Sequence, residues 1–147
     1  MKIEEFLIEA KINTYASNGE KEEKQLDNGG KELIYKKGEW EYRDIFFGFN
    51  PFVGEEIVLN NGKTVWVMNY CGRVISDTDP KEVYRFLKSA MRLVKIERPF
   101  RGPSEFIDNE WRYCDKSFGD INYFDGVEEI YFSKEKVYEL KYHGGKT

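Results

Sequence analysis

One pattern occurs twice in this chain, and the duplication constrains the fold more than any other feature. The copies lie in residues 39–72 and 110–144, and both read Tyr-x-Asp-x-x-Phe-Gly, a short spacer and Phe-x-Gly. The aligned pairs are Trp40 with Trp111, Tyr42 with Tyr113, Asp44 with Asp115, Gly48 with Gly119, Gly54 with Gly126, Glu55 and Glu56 with Glu128 and Glu129, Ile57 with Ile130, and Tyr70 with Tyr142. A chain of 147 residues suits one domain. We therefore predict a single domain built of two repeats, residues 1–75 and 76–147.

Each repeat begins with a predicted helix. Apolar residues recur with helical spacing in residues 2–15, at Ile3, Phe6, Leu7 and Ala10. A second helix is predicted from Asp79 to about Val94, because Asp79 can cap it and Pro80 suits its first position. Its Phe86-Leu87-x-x-Ala90 repeats Phe6-Leu7-x-x-Ala10, so the helix is part of the duplication.

Strand patterns follow each helix at hairpin-length spacing, which indicates an antiparallel sheet. The predicted strands are 32–36, 39–47, 55–60, 64–71, 104–107, 110–118, 127–132 and 136–143. Each half reads α-β-β-β-β, and we predict an α+β fold with one curved sheet and both helices on one face. The polar residues 17–31 are interpreted either as a solvated loop or as a mobile lid over a pocket.

The strand faces suggest a ligand site. Two helices can cover only one face of the sheet, yet both faces carry apolar or aromatic residues. The uncovered surface would have to curl shut, dimerise or bind a ligand. The candidate ligand-binding residues are Trp40, Tyr42, Asp44, Glu56, Trp66, Asn69, Tyr70, Trp111, Tyr113, Asp115, Glu129 and Tyr138.

The charged candidates each have two interpretations. Asp44 and Asp115 either accept backbone N–H groups in their glycine turns or flank a cleft shared by the halves. The glutamate pairs Glu55-Glu56 and Glu128-Glu129 are either surface residues, or one carboxylate of each pair points inward, toward a cationic ligand between aromatic rings. Arg98 and Arg101 either lie in an exposed loop or hold an anion.

Catalytic and metal-binding signals are weak. The candidates are Glu56, Asn69 and His143, of which His143 is the only histidine, so a zinc site is not expected. His143 is either a surface residue or a general base, and Asn69 is either a ligand donor or a polar residue near a strand end. Phosphate-binding glycine loops, dinucleotide fingerprints and nucleophile elbows do not occur in the sequence. We predict no metal and no cofactor.

Composition limits the partners. The net charge of −4 argues against direct nucleic-acid binding. The sequence lacks a run of about eighteen apolar residues, so no membrane span is expected. Two cysteines at positions that do not match in the repeat favour a reducing, cytoplasmic setting.

These motifs resemble an uncharacterised domain family of bacteria and archaea along nearly the whole chain. The matching segments are Asn13-Thr14-Tyr15-Ala16, Tyr42-Arg43-Asp44, Phe47-Gly48, Phe52-x-Gly54-x-Glu56, Val65-Trp66-x-Met68-Asn69-Tyr70-x-Gly72, Arg101-Gly102-Pro103 and Val137-Tyr138-Glu139-Leu140-x-Tyr142-His143-Gly144-Gly145. Some similar proteins carry an N-terminal helix-turn-helix of the Cro/repressor type, whereas this chain is expected to start at the domain itself. The resemblance implies a sensing or effector-binding role in a regulator. The duplicated layout also looks like the GyrI-like effector-binding domains, in which a glutamate sits in an aromatic cleft.

Three functions remain open. The first is a small-molecule-binding, effector-type module with an aromatic cleft between the repeats. The second is a hydrolase-type enzyme using the glutamate, asparagine and histidine candidates. The third is a protein-interaction or homodimerisation domain.

Overall fold

The computed structural model describes residues 1–17 and 23–147, which form two helices and one antiparallel sheet of nine strands. The elements are α1 (Ile3–Ile12), β1 (Lys24–Gln25), β2 (Lys31–Lys37), β3 (Trp40–Gly48), β4 (Phe52–Asn60), β5 (Lys63–Val74), α2 (Pro80–Met91), β6 (Glu105–Asp108), β7 (Trp111–Asp120), β8 (Tyr123–Phe132) and β9 (Glu135–Lys146). The predicted α+β fold is confirmed. Within the described residues, neither helix is long and apolar enough to cross a membrane.

The sheet is symmetric about its centre, as a duplication requires. Its strand order is β1-β2-β3-β4-β5-β9-β8-β7-β6, so the two halves meet where β5 pairs with β9. At this junction Tyr70 lies opposite its repeat equivalent Tyr142, and Met68 lies opposite Gly144. Gly72, the equivalent of Gly144, lies opposite Leu140, the equivalent of Met68. The register therefore obeys a local twofold axis at the Tyr70–Tyr142 pair.

The register corrects the sequence alignment at one point. Asp44 pairs with Glu56 across β3 and β4, and Asp115 pairs with Glu128 across β7 and β8. Glu128, not Glu129, is thus the equivalent of Glu56. Val58, not Ile57, is the equivalent of Ile130, because Tyr42 pairs with Val58 and Tyr113 pairs with Ile130. The alignment placed a one-residue gap at Val127, directly after Gly126, and the register contains no such gap. Because alternate residues point to opposite faces, a shift of one residue moves a side chain across the sheet.

The elements differ from their predicted bounds mainly at the ends. Both helices are shorter than expected, since α1 ends at Ile12 and α2 at Met91. The side-chain amide of Asn13 donates to the Glu9 carbonyl at 2.8 Å and closes α1. At the start of α2 the Asp79 carboxylate accepts the Lys81 N–H at 3.0 Å, as the capping signal predicts. Strand β1 is an addition within residues 17–31, the predicted loop or lid, of which residues 18–22 lie outside the described residues.

Both helices pack on the same face of the sheet, which we call the inner face. Phe6 of α1 stacks on Trp40 with ring centroids 5.4 Å apart, and Phe86 of α2 stacks on Trp111 at 5.3 Å. The opposite, outer face is uncovered by the described residues and mixes charged side chains with exposed apolar ones, such as Phe47 and Val53. The large aromatic residues of the repeat therefore belong mostly to the core between helices and sheet.

The equivalent stacks give the first prediction. Phe6→Ala and Phe86→Ala should each lower the free energy of unfolding by about 3–5 kcal/mol, because each leaves a cavity beside a tryptophan. Urea denaturation monitored by tryptophan fluorescence measures the change. Ile107→Ala, at an exposed position in β6, is the control and should change the free energy of unfolding by less than about 0.5 kcal/mol. Losses below about 1 kcal/mol for both phenylalanine variants would contradict this packing.

Candidate functional site

Four buried carboxylates lie on the inner face, two in each half. Asp44, Glu56, Asp115 and Glu128 are each at most 3% exposed. Each accepts a hydrogen bond from a tyrosine hydroxyl, and the donor–acceptor pairs are Tyr70 to Asp44, Tyr42 to Glu56, Tyr142 to Asp115 and Tyr113 to Glu128. The arrangement obeys the same twofold symmetry as the sheet.

A buried cation neutralises each glutamate, but the two cations come from different places. Lys11, at the end of α1, places Nζ 2.8 and 2.6 Å from the two carboxylate oxygens of Glu56. Arg101, in the connection between α2 and β6, binds Glu128 in bidentate fashion at 3.0 and 2.9 Å. Met91 stands at the position of α2 that corresponds to Lys11. Buried charges require such partners, since a lone buried ion is strongly destabilising.

The two aspartates differ in their neighbours, and this is the main asymmetry of the molecule. Arg98 places Nη2 3.3 Å from Oδ2 of Asp115 and donates to Ser117 at 2.9 Å. Two residues later, Phe100 stacks on Phe124 with centroids 3.9 Å apart. Among the described residues, no lysine or arginine makes an ion pair with Asp44.

Asp44 instead lines a cavity of about 540 Å³ between the two helices and strands β2 to β5 of the first half. Its buried lining contains the charged and phenolic groups Lys11, Asp44, Glu56, Tyr70 and Arg101. Partly or fully exposed aromatic residues line it as well, namely Tyr15, Phe46, Phe49, Phe52 and Tyr84. Its more exposed lining contains the basic residues Lys81, Arg85 and Lys88, and also Lys31, which pairs with Glu23 of the same lining at 3.5 Å.

Burial changes the acid–base properties of this lining. Desolvation, together with the neighbouring Glu56 charge, raises the pKa of Asp44 to about 7, although Tyr70, Lys11 and Arg101 oppose the change. Desolvation and Glu128 raise the pKa of Asp115 to about 7 in the same way. Burial lowers the pKa of Lys11, and the Glu56 carboxylate opposes that shift. Asp44 therefore exchanges its proton near neutral pH, inside a cavity.

The structure brings only some of the predicted site residues together. Asp44, Glu56 and Tyr70 line the cavity. Several others belong to the core of the inner face or to the second half, namely Trp40, Tyr42, Trp66, Trp111, Tyr113, Asp115 and Tyr138. Trp66, for example, is fully buried and stacks on Phe124 at 5.7 Å.

The remaining candidates lie on the outer face. Asn69 and His143 are opposite each other in β5 and β9, and both are exposed. Glu129 is half-buried there and pairs with Lys136 at 2.7 Å. Glu56 lies on the inner face, so the sheet separates it from Asn69 and His143. The three catalytic candidates do not converge on one site.

Sequence reasoning missed several residues of the cavity, above all Lys11, Tyr84 and Arg85. Lys11 had a detectable signal, because it follows Leu7 by four residues and continues the apolar face of α1. A lysine on such a face is unusual and indicates a buried partner. Arg101 was considered as an anion ligand, but its partner is the carboxylate of Glu128. Within the part of the chain that the structure describes, no cluster of three histidine, cysteine or acidic side chains suits a metal ion.

The glutamate ion pairs give a prediction with a matched control. Glu56→Gln should lower the free energy of unfolding by about 3–5 kcal/mol, because it leaves the Lys11 charge buried without a carboxylate. Glu129→Gln removes the partner of a half-exposed lysine and should cost less than about 1 kcal/mol. Chemical denaturation at neutral pH compares the two variants, and equal losses would contradict the buried pair.

The raised pKa of Asp44 predicts a pH-dependent stability. The carboxyl keeps its proton in the folded state up to about pH 7, whereas the unfolded chain loses it near the ordinary value of 3.8. This group therefore stabilises the fold at low pH, and its contribution is lost as the pH rises from about 4 to about 7. Asp44→Asn should become progressively more stable relative to the wild type over that range. Urea denaturation at several pH values tests this, and a difference that is independent of pH would refute it.

Comparison with known proteins identifies the family. Residues 44–147 match the family described as domain of unknown function DUF5680. The match begins at Asp44 and includes Arg101, whereas α1 with Lys11 precedes it. No curated protein and no solved structure matches the chain. The matched segment is well over half of the sequence, so the chain belongs to the DUF5680 family of domains of unknown function.

Proposed function

We propose that this protein is a small-molecule-binding module whose ligand occupies the cavity of the first half and contacts Asp44. The observation that carries the proposal is the difference between Asp44 and Asp115. The two residues are equivalent in the repeat, but within the described part of the chain only Asp115 makes an ion pair with an arginine.

The second half serves as an internal reference for the first. There, Arg98 supplies the positive charge near the aspartate, and Phe100 covers the adjoining aromatic residues. A ligand with a basic or hydrogen-bond-donating group would provide Asp44 with the partner that Arg98 provides for Asp115. Such a partner is favourable because a buried carboxylate without one is costly.

The lining of the cavity supports a ligand of modest size. A volume of about 540 Å³ lies within the range of small-molecule sites. Phe46, Phe52 and Tyr84 offer apolar and aromatic contact, while Asp44 supplies a defined polar contact. Such sites combine a largely apolar wall with a few placed polar groups, which orient the ligand.

The proposal includes an effector or sensor role. The resemblance to domains fused to repressor-type helix-turn-helix segments supports it by analogy. A cytoplasmic location is consistent with the free thiols of Cys71 and Cys114, which suit a reducing compartment.

The enzyme alternative now depends on a different residue. Asp44 has a pKa of about 7 and lines a cavity, which suits proton transfer to or from a bound substrate. Asn69 and His143 lie on the outer face and take no part in this version. The dimerisation alternative is supported by the exposed apolar side chains of the outer face, such as Phe47 and Val53.

A thermal-shift screen with two aspartate variants tests the binding function. The screened compounds are amines, amidines, aminopurines and their acidic derivatives. A compound at about one hundred times its Kd should stabilise the wild type by about 2.7 kcal/mol, which raises Tm by about 5 °C or more. Asp44→Asn should remove most of the shift, because the ligand loses its charged partner.

Asp115→Asn is the matched control, since Asp115 is the repeat equivalent of Asp44 but does not line the cavity. This variant should keep the full ligand-induced shift. A compound that stabilises the wild type and Asp44→Asn equally binds elsewhere and contradicts the proposed site.

A further inference from the structure

Helix α2 presents a polar stripe to the cavity beside its apolar face. Val83, Phe86, Leu87, Ala90 and Met91 are buried in the core. Lys81, Arg85 and Lys88 follow one another at spacings of four and three residues, and all three line the cavity together with Tyr84. Residues at such spacings lie on one side of a helix. The basic side chains of this stripe are thus aligned along one edge of the cavity.

Ion pairing differs among the exposed basic residues. Lys37 pairs with Glu9 at 2.8 Å, whereas exposed lysines such as Lys63 and Lys141 make no ion pair with the described residues. Among the described residues, no carboxylate lies within ion-pair distance of Lys81, Arg85 or Lys88, and the ammonium of Lys88 lies 5.6 Å from the ring centroid of Tyr15. The protein as a whole carries a net charge of −4, so this concentration of unpaired positive charge runs against the overall balance.

The buried charged residues of the cavity lining differ in their partners. Lys11 makes an ion pair with Glu56, and Arg101 makes an ion pair with Glu128. Asp44 is the buried acid of the lining that lacks a cationic partner among the described residues. The cavity therefore has an acidic group in its buried part and basic groups in its exposed part.

An aromatic wall connects the two parts. The Tyr84 hydroxyl donates to the Phe49 carbonyl at 2.6 Å, which fixes the ring at the edge of the cavity. Its ring meets Phe49 edge-on at 5.1 Å and Phe52 at 5.5 Å. A flat or aromatic ligand body would pack against this wall.

We propose that the ligand is amphoteric: its basic or hydrogen-bond-donating end contacts Asp44, and a carboxylate or phosphate at its other end is bound by Lys81, Arg85 and Lys88. This inference rests on the proposed function, because it assigns the ligand class of the same cavity. Arginine binds both acidic groups in bidentate fashion, and lysine adds a mobile positive charge.

Matched probes separate the two ends of the ligand. Para-aminomethylbenzoate carries both groups, para-aminomethylbenzamide lacks the negative charge, and para-aminomethylphenyl phosphate replaces the carboxylate. Isothermal titration calorimetry at low ionic strength measures their affinities for the wild type, Lys81→Gln/Arg85→Gln and Asp44→Asn. Lys141→Gln, an exposed lysine of the outer face, is the control.

The two acidic probes should bind more tightly than the amide by about tenfold, and Lys81→Gln/Arg85→Gln should remove this advantage. Lys141→Gln should leave the tighter binding of the acidic probes intact. Added salt should reduce this difference in affinity, because the charges on the stripe are exposed. The better of the two acidic probes identifies the group as carboxylate or phosphate.

Two failures are distinguishable. If the amide binds as tightly as the acidic probes and all three depend on Asp44, the small-molecule site is correct and the amphoteric assignment is overturned. If binding of every probe is unchanged in Asp44→Asn, or no probe binds up to about 10 mM, both the assignment and the proposed site are overturned.

Discussion

The burial of carboxylates beneath two helices is the constraint on which the rest of the structure depends. Aspartate and glutamate are rarely found in a protein core, and each must be given a partner there. The tyrosines of neighbouring strands satisfy part of the requirement, and Lys11 and Arg101 satisfy the rest. These two cations also connect parts of the chain that are distant in sequence. Lys11 ties α1 to Glu56, 45 residues away, and Arg101 ties its loop to Glu128, 27 residues away. The polar interactions therefore help to determine how the helical layer sits on the sheet.

The duplication explains the overall plan, and its departures from symmetry explain the cavity. Both halves inherit the same sheet, with an aspartate opposite a glutamate on adjacent strands. They neutralise the glutamates with residues at positions that do not correspond in the repeat. In the second half the segment that carries Arg98 and Arg101 covers the acids. In the first half the helix supplies Lys11 alone, and Asp44 is left at the wall of a cavity. The sheet of the second half is thus covered by the segment that carries Arg98 and Arg101, whereas the sheet of the first half borders a cavity.

Local patterns predicted the elements well because helices and strands depend on near neighbours. The stripe of Phe6 and Leu7 and the cap at Asp79 are visible in the sequence. So is the Asn61-Gly62 pair, which connects β4 to β5 with both residues at positive φ. The face assignment was more fragile, since matching the two Glu-Glu-Ile segments placed a gap after Gly126 and made Glu129 the counterpart of Glu56. The cavity could not be predicted in full, because its lining comes from both helices, four strands and three connecting segments. No local pattern records that Lys11 meets Glu56 or that Arg101 reaches Glu128 instead of solvent.

The position of Asp44 also couples ligand binding to protonation. Its pKa of about 7 means that the protonated and ionised forms are both populated near neutral pH. A basic ligand group favours the ionised form and would lower this pKa, so binding near neutrality would release a proton. The same step would place a cationic group beside Asp44, in the position that Arg98 has beside Asp115. The cost of keeping Asp44 ionised in the free protein would then become part of the affinity for the ligand. Ionised Asp44 destabilises the free protein, and for the same reason it is suited to recognise a basic ligand group.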